Sequence, residues 1–162
     1  MQNHQTACFT GHRILPAKEI PSIKRKLTEV LISAIREGYR YFGAGGALGF
    51  DTLAAQTVLE LKEIFPHIRL ILVLPCLSQT KGWREVDIAE YERIKAAADK
   101  VVLTSNEYTP GCMHERNRHL VNYSSLCICY LTKPDGGSAY TVKYAEKTGI
   151  PVINIAEKIS PV

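Results

Sequence analysis

Residues 43–51, GAGGALGFD, place four glycines in seven positions ahead of Asp51. They stand between a strand-like run at residues 39–42 and a helix-like run that begins near Thr52. Backbone without Cβ atoms reaches positive φ and brings its N–H groups close to a neighbour. The positive end of the following helix then favours an anion such as a phosphate. Gly43, Gly45, Gly46 and Gly49 are therefore candidates for phosphate contact. The loop lacks the Lys-Ser/Thr of the P-loop and misses the dinucleotide glycine fingerprint. A tight strand-to-helix turn with Asp51 as N-cap stands beside the anion reading. A phosphate would repel the Asp51 carboxylate, which leaves Asp51 the role of cap or of acceptor for a ribose hydroxyl.

Further chemistry-bearing residues follow other apolar runs. In FTGHR, Gly11, His12 and Arg13 come after the first run. The Arg13 guanidinium can grip a phosphate or carboxylate through two parallel bonds, or pair with a surface acid. His12 is a proton donor or a hydrogen-bonding turn residue. In MHERN, helical spacing sets Met113, Asn117, Leu120 and Val121 on one side, with Arg116 beside them. An amide in that apolar stripe needs partners, so Asn117 and Arg116 are candidates to reach a ligand. Pro134-Asp135-Gly136-Gly137 is a second glycine turn before a helix. Pro75 opens a loop that holds Trp83 beside Lys81 and Arg84, where the indole stacks on a base or closes the edge of the core.

The elements that must position these residues alternate. Strands are expected at 6–10, 39–42, 68–74, 100–103, 126–131 and 150–155. The first helix carries Ile23, Leu27, Val30, Leu31, Ala34 and Ile35 on one face and stops at Gly38. The second shares Ala54, Val58, Leu61 and Phe65 on a face and ends at Pro66. A third runs over 85–98. The MHERN helix opens with Thr109 as cap and Pro110 in its first turn. The last spans 139–148. This order predicts an α/β fold, a Rossmann-like doubly wound, mainly parallel sheet with helices on both faces. The unbroken run IRLILVL marks its strand as central, covered on both sides. In such sheets ligands collect beyond the carboxyl ends of the strands, where strand order reverses. Every unusual stretch follows a strand's carboxyl end: 11–13, 43–51, 75–84, 109–117 and 135–141. Their convergence points to one ligand site on that edge.

Composition narrows the class. With 162 residues, 46% hydrophobic and 22% charged, the chain reads as one globular domain over 1–162. Its five cysteines are odd in number and lack CxxC spacing, so neither zinc nor thioredoxin-like chemistry is expected. Cys127 and Cys129 alternate in an apolar run as buried strand thiols. No charged leader or long apolar span suggests secretion or a membrane, and the expected setting is reduced and cytoplasmic. The net charge of +4 is scattered apart from Lys24-Arg25-Lys26, a solvated helix face. Nucleic acid is therefore not the favoured partner, and self-association is left open.

Taken in order, FTGHR, GAGGALGFDTLAAQ, MHERN, PDGGSAYTVKYA and GIPVINI resemble the SLOG superfamily of Rossmann-like nucleotide-binding domains, and within it the YpsA-like branch. The resemblance covers nearly the whole chain. It implies a nucleotide or phosphoribosyl ligand, no known cofactor, and Gly136, Gly137 and Thr141 as a wall facing the first glycine loop. Two relatives bracket the activity. LOG-type phosphoribohydrolases carry MHER-K and PGG-x-GT-xx-E motifs. Here the arginine stands as Arg116, Asn117 takes the lysine's place, and Val142, Lys143 and Tyr144 occupy the region of the glutamate. Glycoside cleavage needs a well-placed carboxylate, for which Asp51, Glu85 and Glu115 are candidates beside Arg116. The DprA/Smf group binds single-stranded DNA and has a loop similar to residues 45–51, but no aromatic platform with interleaved basic residues is visible here. The resemblance therefore implies a binding protein acting as sensor or regulator, with phosphoribohydrolase and DNA-binding activities as alternatives.

Overall fold

The computed structural model describes residues 4–158. Six parallel strands form one sheet in the order β4-β3-β2-β1-β5-β6, with β1 at Thr6–Gly11, β2 at Tyr41–Ala44, β3 at Arg69–Leu74, β4 at Lys100–Leu103, β5 at Leu126–Tyr130 and β6 at Val152–Asn154. Six α-helices connect and close them: α1 Ile20–Arg36, α2 Phe50–Lys62, α3 Glu85–Ala97, α4 Cys112–Asn122, α5 Gly137–Thr148 and α6 Ile155–Lys158. The fold is the expected α/β, Rossmann-like doubly wound one. The chain steps outward from β1 through β2 and β3 to β4, then returns to β5 on the other side of β1. The order therefore reverses between β1 and β5, and a crevice opens beyond their carboxyl ends.

Side-chain alternation sorts the two faces. Ala7, Phe9, Phe42, Leu70, Leu72 and Ile128 pack with α1, α2, α3 and α6. Cys8, Val73 and Cys127 turn the other way, against Leu120 and Val121 of α4 and Ala145 of α5. All five cysteines are free and buried.

Several boundaries differ from the sequence expectation for identifiable reasons. Tyr39 is not in β2, because its N–H closes the end of α1 on Ala34 O at 3.0 Å. Thr109 does not cap α4. Gly111, at φ 86°, sets the chain into the helix at Cys112, and Pro110 stays outside. Residues 155–158 form α6, too short to leave a periodic signal. The run around β3 is not that of a central strand. β3 lies next to the edge, and although α4 packs on it through Leu120 against Val73, Ile71 stays only half-buried. The fully buried strand is β5. Among the described residues no helix is long and apolar enough to cross a membrane.

Candidate functional site at the β1/β5 switch point

A cleft of about 340 Å³ lies beyond β1 and β5. Thr10, Gly11, His12 and Arg13 enter it from β1, Ala47 and Asp51 from the start of α2, Met113, His114, Arg116 and Asn117 from α4, and Asp135, Gly136, Gly137 and Ser138 from the start of α5.

Phe50 is the wedge that joins the first two groups. It packs against Phe9 and Tyr130, with ring centroids 6.3 and 6.2 Å away. Its N–H donates to His12 O at 3.0 Å. A Cβ on Gly11 would meet the Phe50 ring at 2.5 Å. The first turn of α2 therefore lies directly under the end of β1, and Asp51 is carried into the floor of the cleft.

Gly43, which lies inside β2, and the loop glycines Gly45, Gly46 and Gly49 all face protein atoms. A Cβ on Gly43 would meet Leu120 at 3.0 Å, one on Gly45 the Arg116 guanidinium at 2.6 Å, and one on Gly46 Leu74 at 2.7 Å. Gly49, at φ 78°, backs onto His12 and Arg13. The loop is also pinned from outside, since Gln79 Nε2 donates to Gly45 O at 3.0 Å and Tyr91 OH donates to Gln79 Oε1 at 3.2 Å. The glycines make room for α4 and the β1 loop, and only Ala47 and Asp51 of residues 43–51 line the cleft.

Arg116 is 3% exposed. Its Nη1 donates to Gly45 O and its Nε to Asn117 Oδ1, the latter at 2.7 Å. Arg116 thus supplies a partner that the Asn117 amide required, and Asn117 in turn fixes the guanidinium plane. Asp51 is not the N-cap. Gly49 holds that place, and Asp51 is the second residue of α2, 6% exposed, with no hydrogen-bond partner at Oδ1. Burial raises its pKa from 3.8 to about 6 against the opposing pull of Arg116, the Ala47 N–H, Arg13 and the Gly45 N–H. Burial also lowers the pKa of Arg116, while the Asp51 charge opposes that shift. His12 is a structural clip. Its Nε2 accepts the Thr132 N–H at 2.8 Å, and burial followed by the Lys133 charge lowers its pKa.

The remaining candidates lie elsewhere. Pro75 is buried under its loop, outside the cleft lining. Arg84 is exposed and donates to Asp87 at 3.0 Å. Glu85 and Glu115 are exposed and outside the lining. Thr141 is buried, and its hydroxyl donates to Gly137 O at 2.9 Å, bracing the first turn of α5. Trp83 meets Tyr91 edge-on at 5.5 Å at the margin of the core. Sequence reasoning missed Thr10, Ala47, Met113, His114, Asp135 and Ser138 as lining residues, although Thr10, Ala47, Asp135 and Ser138 each adjoin a glycine candidate already singled out and Met113 and His114 lie within one helical turn of Arg116. Among the described residues, no group of three or more His, Cys, Asp or Glu is placed to hold a metal ion.

The buried Asp51 sets a pH dependence. Its folded pKa lies above the unfolded value of 3.8, so the native state holds the proton more tightly and stability falls as pH rises from 3.8 through about 6. The cost at neutral pH is roughly 3 kcal/mol. Asp51→Asn is expected to be more stable than the parent at neutral pH and equal to it near pH 4. Thermal melts of both proteins across that range check the sign.

Comparison with known proteins places the chain. The family model YpsA, described as the YspA SLOG family, matches residues 15–155. The UPF0398 protein BH1768 of Halalkalibacterium halodurans is 33% identical over 89% of this chain and 76% of its own length. The UPF0398 protein YpsA of Bacillus subtilis is 29% identical over 80% and 74%. DNA processing protein A of Streptococcus pneumoniae has a similar fold, with TM-score 0.68 and 17% identity over 93% of this chain, which spans 52% of that protein. The Helicobacter pylori DNA processing protein A, which binds single-stranded DNA, gives 0.64 and 20% over 91% of this chain and 63% of its own length. TM1055 gives 0.59 and 19% over 98% and 81%. The chain belongs to the YpsA family of SLOG proteins.

Proposed function

We propose that the cleft binds the phosphate of a nucleotide or another phosphoribosyl compound, and that the protein acts as a sensor or regulator. The observation that carries this reading is the start of α5. Its N-cap is Gly136, at φ 95°, and no side chain caps it. The N–H groups of Gly137, Ser138 and Ala139 have no carbonyl to bond within the helix, and Gly136, Gly137 and Ser138 line the cleft. A Cβ on Gly136 or Gly137 would meet nothing within 4 Å. The anion therefore sits at α5, across from the first glycine loop. Arg13, exposed and without a hydrogen bond or ion pair among the described residues, is free to close over it.

The charge balance limits the ligand. Arg13 and Arg116 are set against Asp51 and Asp135, which suits a single phosphate on a polar body better than a polyanion. A second cavity of about 370 Å³, with Cys76, Tyr108 and Lys81 in its wall, shares Met113 with the first and gives room for a base.

Ser138→Asp tests the placement with opposite signs on two measurements. A carboxylate in the first turn of α5 stabilises the helix by about 0.3–1 kcal/mol while repelling a phosphate. Calorimetry with AMP and inorganic phosphate is expected to show affinity lost by tenfold or more, with a thermal midpoint that holds or rises. Undiminished binding in this variant moves the anion away from α5. No binding of either compound to the parent at millimolar concentration removes the reading.

N-glycosidic hydrolysis is the second reading, kept by one observation: a pKa of about 6 suits Asp51 to proton transfer near neutral pH. Base release from AMP that is lost in Asp51→Asn would support it. Single-stranded DNA binding is less favoured, because the balanced lining offers little to a phosphate backbone.

A further inference from the structure

We propose that Asp51 selects the ligand: its carboxylate accepts a hydrogen bond from a sugar hydroxyl of the phosphate-bearing compound, so the cleft distinguishes ribosyl phosphates from their deoxygenated analogues. The inference rests on the phosphate reading of the same cleft and adds what the rest of the ligand must carry.

Asp51 lines the cleft floor while only 6% exposed, and its Oδ1 has no hydrogen-bond partner. A buried acceptor left in that state is costly, and the group that supplies a donor gains the difference. The buried guanidinium of Arg116 does not serve Oδ1. The Arg116 guanidinium is turned to Gly45 O and Asn117 Oδ1, which hold it in place. Asp51 lines the cleft, so a donor on the ligand approaches its carboxylate from the cleft side.

The surroundings restrict the donor. Arg116 of α4 and Arg13 of the β1 loop bear on Asp51 from two directions, the Ala47 and Gly45 N–H groups face it, and Cys127 of β5 lies within its field. Asp135, His12 and His114 share the cleft. A ligand ammonium would enter against two guanidinium groups, whereas a neutral hydroxyl meets no such opposition and still satisfies the acceptor. With the anion at the start of α5 and the acceptor at the start of α2, the site reads two groups of one small molecule, a phosphate and a hydroxyl. At about 340 Å³ the cleft is at the small end of ligand pockets.

The test compares AMP, 2′,3′-dideoxy-AMP and inorganic phosphate by calorimetry on the parent, Asp51→Asn and Asp51→Ala. The two nucleotides share base and phosphate, so their affinity ratio isolates the hydroxyls. The parent is expected to prefer AMP by roughly tenfold, the effect of satisfying one buried acceptor. The ratio should shrink in Asp51→Asn, whose amide is a neutral acceptor, and fall to about one in Asp51→Ala. It should also fall in the parent as pH drops below about 6, and the ratio cancels the phosphate's own titration. That measurement stands even where a variant folds poorly.

Equal affinity for the two nucleotides overturns the proposal, as does a preference that survives in folded Asp51→Ala. If inorganic phosphate binds and AMP binds no better, Asp51 is not a selector although the phosphate site stands. If nothing binds the parent, the phosphate reading falls and this one with it.

Discussion

Gly49→Ala is expected to destabilise the protein by roughly 3–5 kcal/mol, enough to remove much of the stability of an ordinary domain. Two separate effects add. Gly49 has φ 78° and ψ −120°, a conformation that an L side chain adopts at a cost of about 1–3 kcal/mol. Its new Cβ would also stand 2.5 Å from the carbonyl carbon of Arg13, with the His12 and Arg13 carbonyl oxygens beside it. Backbone cannot swing aside as a flexible side chain does, so the β1 loop must move, and with it Arg13 and the Phe50 N–H to His12 O bond. Gly136→Ala separates the two effects. Gly136 has φ 95° but open space around it, so the same change should cost only the conformational part, about 1–3 kcal/mol. Urea unfolding of the two variants beside the parent measures the difference. Equal losses would show that the β1 loop does not press on the start of α2.

The contrast between those glycines shows what the sequence could and could not reveal. Clustered glycine between strand and helix is a local signal, and it placed the turn at the carboxyl edge of β2, although Gly43 and Ala44 belong to the strand and Phe50 and Asp51 to the helix. What each glycine faces is not local. Gly45 meets Arg116, 71 positions later in the chain, because the strand order brings β1 between β2 and β5 and lays α4 over the same edge. Gly49 meets the β1 loop for the same reason. The glycine loop and the arginine of MHERN were legible as chemistry-bearing stretches, but their contact with one another required the topology.

The same cause explains the candidates that fell outside the cleft. Pro75 and Arg84 follow the carboxyl end of β3, which lies two strands from β1, whereas the cleft centres on β1 and β5. Strand ends alone could not rank these stretches, since ranking needs the point at which strand order reverses. Asp51 differs in kind. Its place one residue inside α2, not at the cap, follows from Gly49 taking the positive φ that begins the helix. That shift turns a solvated cap into a buried carboxylate.

Arg116→Met is expected to lower stability by about 3 kcal/mol at neutral pH and to lose the cleft's ligand, while at about pH 5 the loss in stability should be clearly smaller. The guanidinium is buried and donates to Gly45 O and to Asn117 Oδ1. Charged hydrogen bonds of this kind contribute roughly 1.5–3 kcal/mol, and methionine keeps much of the side-chain length while making neither. Lysine should not rescue the site, because an ammonium cannot reproduce the planar fork.

The pH dependence comes from Asp51. In the parent the Arg116 charge holds the Asp51 pKa down to about 6 against burial. Without that charge the pKa rises further, and the native variant must carry either a bound proton or an uncompensated buried anion at neutral pH. The unfolded chain releases the proton near 3.8, so stability that the variant loses at neutral pH returns as the solution is acidified. Adding Asp51→Asn removes the anion and should recover part of the loss at neutral pH but little in acid. Urea unfolding of the two single variants, the double variant and the parent gives that coupling as a double-mutant cycle. A deficit for Arg116→Met that is the same at both pH values, with additive effects in the double variant, would mean that the guanidinium supports the glycine loop alone and leaves the charge of Asp51 to be balanced by Arg13 and the backbone.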